Sequence, residues 1–264
     1  QEVSALVLGG RLRIDLTGNR GDRIALEKLA ADLTAEVHAL LAHHLMTDPN
    51  VEDLYPLTPA QQGILFHDRA APRSGVYVEQ LTWTFNGGLD EGALRRAWSL
   101  AAARHAVLRT AFPIGEEPLQ VVRRAAEPEW QQEDWGHLAP PEQEERLAAH
   151  LTSDRRHGFD PTRAPLHRLA LFRLGEDRWQ LLWSHHHVLL DGWSMALLLE
   201  EVLAAYEAFS RGEEPVLPER RPFRDYALWV AGQDAEAERC FWQGLLAGFT
   251  EPTPLGIDRP VSAT

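Results

Sequence analysis

Several residue types are scarce in this sequence, and each shortage excludes a class of protein. A single cysteine among 264 residues, Cys240, excludes an internal disulfide and a cysteine-based metal site, and it is typical of a reducing compartment. Because Phe241 and Trp242 follow it, Cys240 is expected to be a buried structural thiol. No apolar run approaches the roughly 18 residues that a membrane-spanning helix needs, so no membrane is expected as a partner. The N-terminus shows no basic segment followed by an apolar one, so we expect no signal peptide and predict a cytoplasmic protein.

Positive charge is also in short supply. The 26 Lys and Arg residues are outnumbered by 39 Asp and Glu residues, which leaves a formal net charge of −13. Such a surface repels nucleic acid and anionic membranes, so neither is expected to bind. Hydrophobic residues at 44% and charged residues at 25% are ordinary values for a globular chain, and they exclude a disordered protein, a collagen and a coiled coil.

The patterns that are present predict a mixture of strands and helices, either α+β or mixed α/β. Apolar and polar residues alternate over 76–85, and the segments 166–174 and 179–188 flank a Gly-Glu-Asp turn, which predicts a hairpin. A polar stretch over 46–50 that ends in Pro-Asn is typical of a linker. Apolar residues at helical spacing predict helices over 23–44, 60–68, 90–105, 140–156, 194–209 and 225–246, and Gly232 is a candidate break in the last of them.

Three consecutive histidines are the most informative feature of the chain. His185, His186 and His187 end a predicted strand, and Asp191-Gly192 follows just before a predicted helix. On a strand, the first and third histidines share one face while the second takes the other face. Because Asp-Gly is a turn dipeptide, the chain is expected to reverse direction between the strand and the helix.

Three interpretations of the histidines remain open at this point. Burial in a core strand is costly because every imidazole nitrogen would need a hydrogen-bond partner. A metal site would use His185 and His187, but no other histidine stands at a recognised ligand spacing, so no metal is predicted. Acid–base catalysis needs one histidine whose neighbours and Asp191 hold it in place.

The segment His186-His187-x-x-x-Asp191-Gly192 resembles the core motif of the condensation domains of nonribosomal peptide synthetases, in the chloramphenicol acetyltransferase superfamily. Other segments resemble further motifs of the same family and stand in the family's order. These segments are 57–67, 104–112, 223–229 and 241–260. The resemblance therefore covers about residues 51–260.

The resemblance implies an α/β (α+β) two-layer sandwich that forms one lobe of a V-shaped, two-lobed domain. Residues 55–264 would be the N-terminal lobe, 46–54 a linker, and 1–45 the end of a preceding epimerisation or condensation domain. The second lobe, which would complete the channel, is missing from this sequence. We therefore expect a fragment of a multidomain synthetase that has no activity alone.

The resemblance also implies a reaction, an acyl transfer in antibiotic and other secondary-metabolite biosynthesis. A donor peptidyl thioester and an acceptor aminoacyl thioester arrive on the phosphopantetheine arms of two peptidyl carrier proteins, and a peptide bond forms. No cofactor would be bound directly, and the expected partners are the carrier proteins, the missing lobe and neighbouring synthetase domains. The segment 55–67 and the character of 1–45 favour a D-configured donor.

Residue roles follow from the same resemblance. His187 is expected to contact the reacting amine, as a base or as a hydrogen-bonding group, beside a structural His186. Gly192 would leave room for a pantetheine arm, and its N–H could face a developing oxyanion. The two residues that follow it, Trp193 and Ser194, are candidates for the substrate channel.

Asp191 is expected to hold the turn by an ion pair with Arg109 or, as a second choice, with Arg104. Two alternatives remain for the function as a whole. One is an epimerisation-domain lobe, which shares the histidine motif. The other is a non-catalytic fragment that only docks carrier proteins, although an intact motif argues against it.

Overall fold

The computed structural model describes residues 2–8, 11–17, 47–72, 74–113, 119–251 and 253. In chain order the elements are β1 Glu2–Leu8, β2 Arg11–Thr17, β3 Val51–Pro56, α1 Pro59–Ala70, β4 Val78–Asn86, α2 Glu91–Arg104, a 3-10 turn Ala106–Arg109, β5 Thr110–Ala111, β6 Leu119–Arg123, β7 Glu129–Asp134, α3 Pro140–His157, β8 His167–Gly175, β9 Arg178–His186, α4 Gly192–Ser210, α5 Phe223–Ala231 and α6 Ala235–Leu245.

Three groups of paired strands organise these elements. The largest sheet has the order β4-β9-β8-β7, in which β9 pairs antiparallel with both neighbours and β7 runs parallel to β8. A smaller antiparallel sheet has the order β3-β6-β5, and β1 pairs with β2 in a separate hairpin. Because β9 is an inner strand of the largest sheet, the histidines at its end are held from both sides.

Local sequence explains where the helices begin and end. Thr58 caps α1 through a capping box with Gln61, and proline occupies the first turn. The side chain of Asp90 caps α2 by accepting from Ala93 N. The predicted break near Gly232 is confirmed, because α5 ends there and the Asp234 carboxylate caps α6.

Helices cover both faces of the largest sheet. On one face α2 and α4 bury the main apolar core, in which Trp98 packs on Trp183 with ring centroids 4.9 Å apart. On the other face α3 covers a smaller cluster that includes Trp135 and Phe172, stacked at 4.0 Å. The predicted α/β class, with helices packed on a sheet, is confirmed. None of the helices in the described ranges is long and apolar enough to cross a bilayer.

One buried carboxylate ties α3 to three strands of this sheet. Asp154 of α3 accepts hydrogen bonds from Gln80 of β4 and Ser184 of β9, both at 2.6 Å, and pairs with Arg168 of β8 at 2.5 Å. Burial raises the pKa of Asp154, but the hydrogen bonds from Arg168 and Ser184 outweigh it and hold that pKa below its usual value. The carboxylate therefore stays charged and fixes α3 against β9.

Some sequence predictions are corrected. Residues 51–54, assigned to the linker, belong to strand β3, which pairs with β6. Strand β7 was not predicted, because the polar edge segment Glu129–Asp134 lacks an apolar pattern. Cys240, expected to be buried beside two aromatic residues, is exposed on α6. The helix predicted over 23–44 lies outside the described residues.

Candidate active site

The histidine motif lies where β9 leaves the sheet and turns into α4. The backbone continues the ladder beyond the strand, since His187 N donates to Tyr77 O at 2.8 Å and His186 N donates to Leu166 O at 2.9 Å. The turn then closes when Leu189 N donates to His186 O at 3.1 Å. These bonds fix the backbone of the motif before any side chain is considered.

The three imidazoles have different surroundings. His185 and His186 are each 1% exposed, whereas the side chain of His187 is 39% exposed. His185 stacks on Trp183 with centroids 4.3 Å apart, and His186 accepts a hydrogen bond at Nδ1 from Val188 N. Within the motif, His187 is therefore the histidine that solvent or a substrate can reach.

Burial also determines the charge of the inner histidines. It lowers the pKa of His185 to about 4, and it lowers the pKa of His167, the partner of His185 on β8, to about 3. Burial lowers the pKa of His186 as well, against the attraction of the Asp68 carboxylate 3.6 Å from Nε2. Neither His185 nor His167 therefore carries a positive charge near neutral pH.

Asp191 caps helix α4 instead of pairing with an arginine. Its carboxylate accepts from Ser194 N at 2.8 Å, and this bond holds the pKa of Asp191 below its usual value. The predicted ion pair is not formed among the described residues. Arg109 pairs with Glu52 at 2.6 Å and donates to backbone carbonyls, and Arg104 lies 3.5 Å from Glu201.

The cap leads to a prediction about stability. We expect Asp191→Ala to lower the free energy of unfolding by about 1 kcal/mol, because the first turn of α4 loses its acceptor. Asp191→Asn should cost less, since asparagine is an equally good N-cap. Urea unfolding of the three proteins measures both effects. Equal losses in the two variants would show that a charge pair, and not the cap, is what Asp191 supplies.

A cavity of about 1170 Å³ opens in front of His187. His187, Asp191 and Ser194 line it, together with residues of α1, the end of α2, β3, β6 and α5. Its size exceeds the usual range of a small-molecule pocket and suits an extended substrate. Trp193 is 85% exposed and does not appear in the described lining, so of the two channel candidates only Ser194 faces the cavity.

Gly192 begins α4 and stands between Asp191 and Ser194, which line the cavity, but it is not itself among the described lining residues. A Cβ built on it would meet no atom within 4 Å, and its φ lies outside the left-handed region. No described protein atom therefore requires a glycine at this position.

A buried carboxylate that the sequence did not predict also lines the cavity. Glu201 of α4 is 3% exposed; Arg220 donates to it at 2.8 Å, and His105 Nε2 lies 2.9 Å from its other oxygen. Burial raises the pKa of Glu201, but the hydrogen bonds from Arg220 and His105 lower it further, so the side chain stays charged. An acidic residue inside the apolar stretch of a helix was the available signal.

Glu79 of β4 was also missed, although its carboxylate lies 3.8 Å from His187 Nδ1. Its signal was a charged residue in the apolar register of a strand, between Tyr77 and Leu81. Among the described residues, no group of three or more His, Cys, Asp or Glu side chains is arranged to hold a metal ion.

Comparisons with known proteins agree with this geometry. The family model described as Condensation domain matches residues 51–263. A linear gramicidin synthase of Brevibacillus parabrevis is 44% identical over 224 residues, which are 84% of this chain and 4% of that protein. A surfactin synthase of Bacillus subtilis is 32% identical over 82% of this chain and 6% of its own length. The chain thus spans a small part of these curated relatives.

Solved structures give the same result for the fold. The starter condensation domain of rhizomide synthetase RzmA superposes with a TM-score of 0.68 at 21% identity, over 76% of this chain and 50% of that one. The first condensation domain of the calcium-dependent antibiotic synthetase, in complex with a substrate analogue, superposes with a TM-score of 0.63 at 26% identity, over 76% and 49%. The chain therefore matches about half of each of these structures.

Proposed function

The chain belongs to the condensation-domain family, and from this premise we propose that it supplies the histidine-bearing half of a peptide-bond-forming site in a nonribosomal peptide synthetase. The donor would be a peptidyl or aminoacyl thioester and the acceptor an aminoacyl thioester. Both would be carried on the phosphopantetheine arms of carrier proteins. One observation carries the proposal: among the three motif imidazoles, His187 is the one exposed to the 1170 Å³ cavity.

The proposed reaction is an acyl transfer. The acceptor amine attacks the donor carbonyl carbon, so that a C–N bond forms and the thioester C–S bond breaks. The proton lost by the amine passes to His187 and then to the departing thiolate, which leaves as a thiol. An α-amine has a pKa of about 8, so a useful fraction is already neutral at cytosolic pH.

Holding the two thioesters in line is the larger part of the work. Alignment of two reactants lowers a barrier by about 7–11 kcal/mol, whereas general base catalysis contributes about 10²–10⁴-fold. The cavity has a volume of about 1170 Å³, and Asp191 and Ser194 at the start of α4 line it. The rest of the domain would close the cavity, since the matched structures are about twice as long as the matched segment.

The direct test is reconstitution of the parent module with loaded donor and acceptor carrier proteins. We expect peptide transfer by the parent enzyme and none by the 264-residue chain alone. Inversion of the donor α-carbon without transfer would identify an epimerisation domain instead. Carrier binding without either reaction would identify a docking fragment.

Gly192 allows a prediction that separates folding from function. Because the structure has open space at Gly192, Gly192→Ala should not lower the unfolding midpoint of the chain and should raise it slightly, since alanine reduces the freedom of the unfolded chain. In the parent enzyme it should slow peptide transfer by about tenfold or more if a pantetheine arm passes close to this backbone. Gly88→Ala, which also meets open space, is the matched control. If Gly192→Ala transfers the peptide at the wild-type rate, the pantetheine arm does not pass close to this backbone.

The donor subtype belongs to the same proposal. The segment 55–67 resembles that of domains with D-configured donors, and in the structure Thr58, Gln61 and Ile64 of this segment line the cavity. We expect the parent enzyme to transfer a D-aminoacyl donor faster than its L-enantiomer. Single-turnover assays with each enantiomer on the donor carrier measure this, and a preference for the L-donor contradicts it.

Residues 1–45 are proposed to end the preceding synthetase domain. The β1–β2 hairpin and the start of the family match at residue 51 support a separate origin for this segment. A second linear gramicidin synthase of Brevibacillus parabrevis aligns with 98% of this chain at 40% identity, so similarity extends into the segment. We also propose that the protein works in the cytosol.

A further inference from the structure

We propose that Glu79 is a positioning residue for His187: its carboxylate accepts the Nδ1 proton of the imidazole and leaves Nε2 as the nitrogen that meets the substrate. This inference deepens the proposed function and rests on it. Three observations support it. They are the position of Glu79 and His187 in the sheet, the groups that surround the two side chains, and the partners that the other nearby carboxylates already have.

The sheet brings the two side chains together. Glu79 stands opposite His185 in the antiparallel pairing of β4 with β9, so His187 is its diagonal neighbour on the same face. The carboxylate lies 3.8 Å from Nδ1, within ion-pair distance but longer than a hydrogen bond. Catalytic hydrogen bonds are often long without substrate and shorten when the complex forms.

Tyr77 holds the backbone of His187 and lies beside its imidazole. Its carbonyl accepts the backbone N–H of His187 at 2.8 Å, and its ring lies nearly parallel to the imidazole, at 6° with centroids 6.4 Å apart. The backbone bond fixes the point from which the imidazole projects. A carboxylate on the Nδ1 side then determines which nitrogen carries the proton.

The neighbouring carboxylates already have other partners. Asp191 caps α4 through Ser194 N, and Asp68 faces the buried His186. Glu79 is 48% exposed, and within the described part of the chain its carboxylate pairs with His187 alone. It is also not among the described residues that line the cavity, so it reaches the substrate through His187.

The chemical consequence concerns the direction of proton transfer. With the proton on Nδ1 and held by Glu79, Nε2 presents its lone pair and can accept the proton that the attacking amine loses. The resulting imidazolium carries a proton on each nitrogen and is stabilised by the carboxylate. When Nε2 passes its proton to the departing thiolate, the starting tautomer is restored.

The first experiment reads the tautomer and needs no turnover. In the 264-residue chain labelled with ¹⁵N-histidine, at a pH where His187 is neutral, the imidazole shifts should show the proton mainly on Nδ1. Glu79→Ala should move it toward Nε2, and Glu79→Gln, which keeps an acceptor oxygen, should move it less. Glu145→Ala, on the exposed face of α3, is the matched control and should change nothing.

The second experiment measures transfer in the parent enzyme. Glu79→Ala should lower kcat by about tenfold with KM for the acceptor unchanged, and Glu79→Gln should restore part of the rate. An increase in KM with no change of tautomer would mean that Glu79 binds the acceptor amine, which overturns the proposal. A wild-type rate together with the wild-type tautomer in both Glu79 variants would also overturn the proposal.

The roles of His187 and Glu79 can be tested separately. If His187→Ala leaves the rate unchanged, the proton transfer proposed for His187 is wrong, and alignment alone accounts for catalysis. If His187→Ala abolishes transfer while Glu79→Ala changes neither rate nor tautomer, only the positioning role is wrong.

Discussion

Replacement of His187 by alanine in the parent synthetase is expected to lower the rate of peptide transfer by about 10²–10⁴-fold, the usual contribution of a positioned acid–base group. The side chain is partly exposed and lies on the cavity wall, so its loss removes a proton acceptor without opening the core. The folded structure should therefore survive. Single-turnover transfer between loaded carrier proteins measures the rate, and circular dichroism measures the fold.

The control for this variant is His157→Ala, which removes an exposed histidine at the end of α3, away from the cavity. It should transfer at the wild-type rate. A His187→Ala enzyme that also retains the wild-type rate would show that alignment alone accounts for catalysis. A rate loss with unchanged pH dependence would favour hydrogen bonding over proton transfer as the role of His187.

Acid should destabilise the chain well before its carboxylates titrate, and this is the second large effect. The pKa of His167 falls to about 3 and that of His185 to about 4 in the folded state, against about 6.5 when unfolded. Above pH 6.5 both imidazoles are neutral in either state. Below pH 6.5 these two histidines become protonated in the unfolded chain but stay neutral in the folded chain. The free energy of unfolding therefore decreases as the pH falls toward about 4.

The size of this effect follows from the shifts. One unit of pKa difference corresponds to about 1.4 kcal/mol, so two shifts of this kind amount to several kcal/mol, a large fraction of an ordinary domain's stability. Urea unfolding between about pH 8 and pH 4.5 measures the effect. The paired carboxylates Asp154 and Glu201 have lowered pKa values and would contribute only at more acidic pH.

His167→Phe provides the comparison, because it replaces a fully buried imidazole by a ring that cannot be protonated. At mildly alkaline pH the free energy of unfolding of the variant should differ from that of wild type by a constant amount. As the pH falls, its stability should decline less steeply, so the difference should shift in favour of the variant. Parallel stability curves for the two proteins would mean that His167 is not kept neutral by burial.

Sequence patterns were sufficient for the features that depend on near neighbours in the chain. The β8–β9 hairpin, the helices described between residues 59 and 245 and the break at Gly232 follow from periodicity, turn residues and caps. The family resemblance located the histidine motif and the fold. His187 is the most exposed of the three motif histidines, and the role that the resemblance implied for it stays a prediction.

Contacts between distant segments could not be obtained in this way. Arg109 is satisfied by Glu52 and by carbonyls of two other segments, so it has nothing left for Asp191, whose carboxylate finds a nearer partner in Ser194 N. A local cap needs no long-range folding to form, which explains why it wins over the predicted ion pair. The buried position of Glu201 could not be predicted from the sequence for the same reason, since its partners come from other parts of the chain.

The network around Asp154 bears on which insertions and deletions this region can accept during evolution. That carboxylate locks the register of β9 on the face opposite the cavity, through Ser184. Side chains of a strand alternate, so a slip of one residue would move His187 to the opposite face and bring either His186 or Val188 to its position, depending on the direction of the slip. A deletion that shifted the pairing of this segment would thus be equivalent to a mutation of the site although His187 itself remained. Length changes should therefore accumulate in the connecting loops and spare this strand.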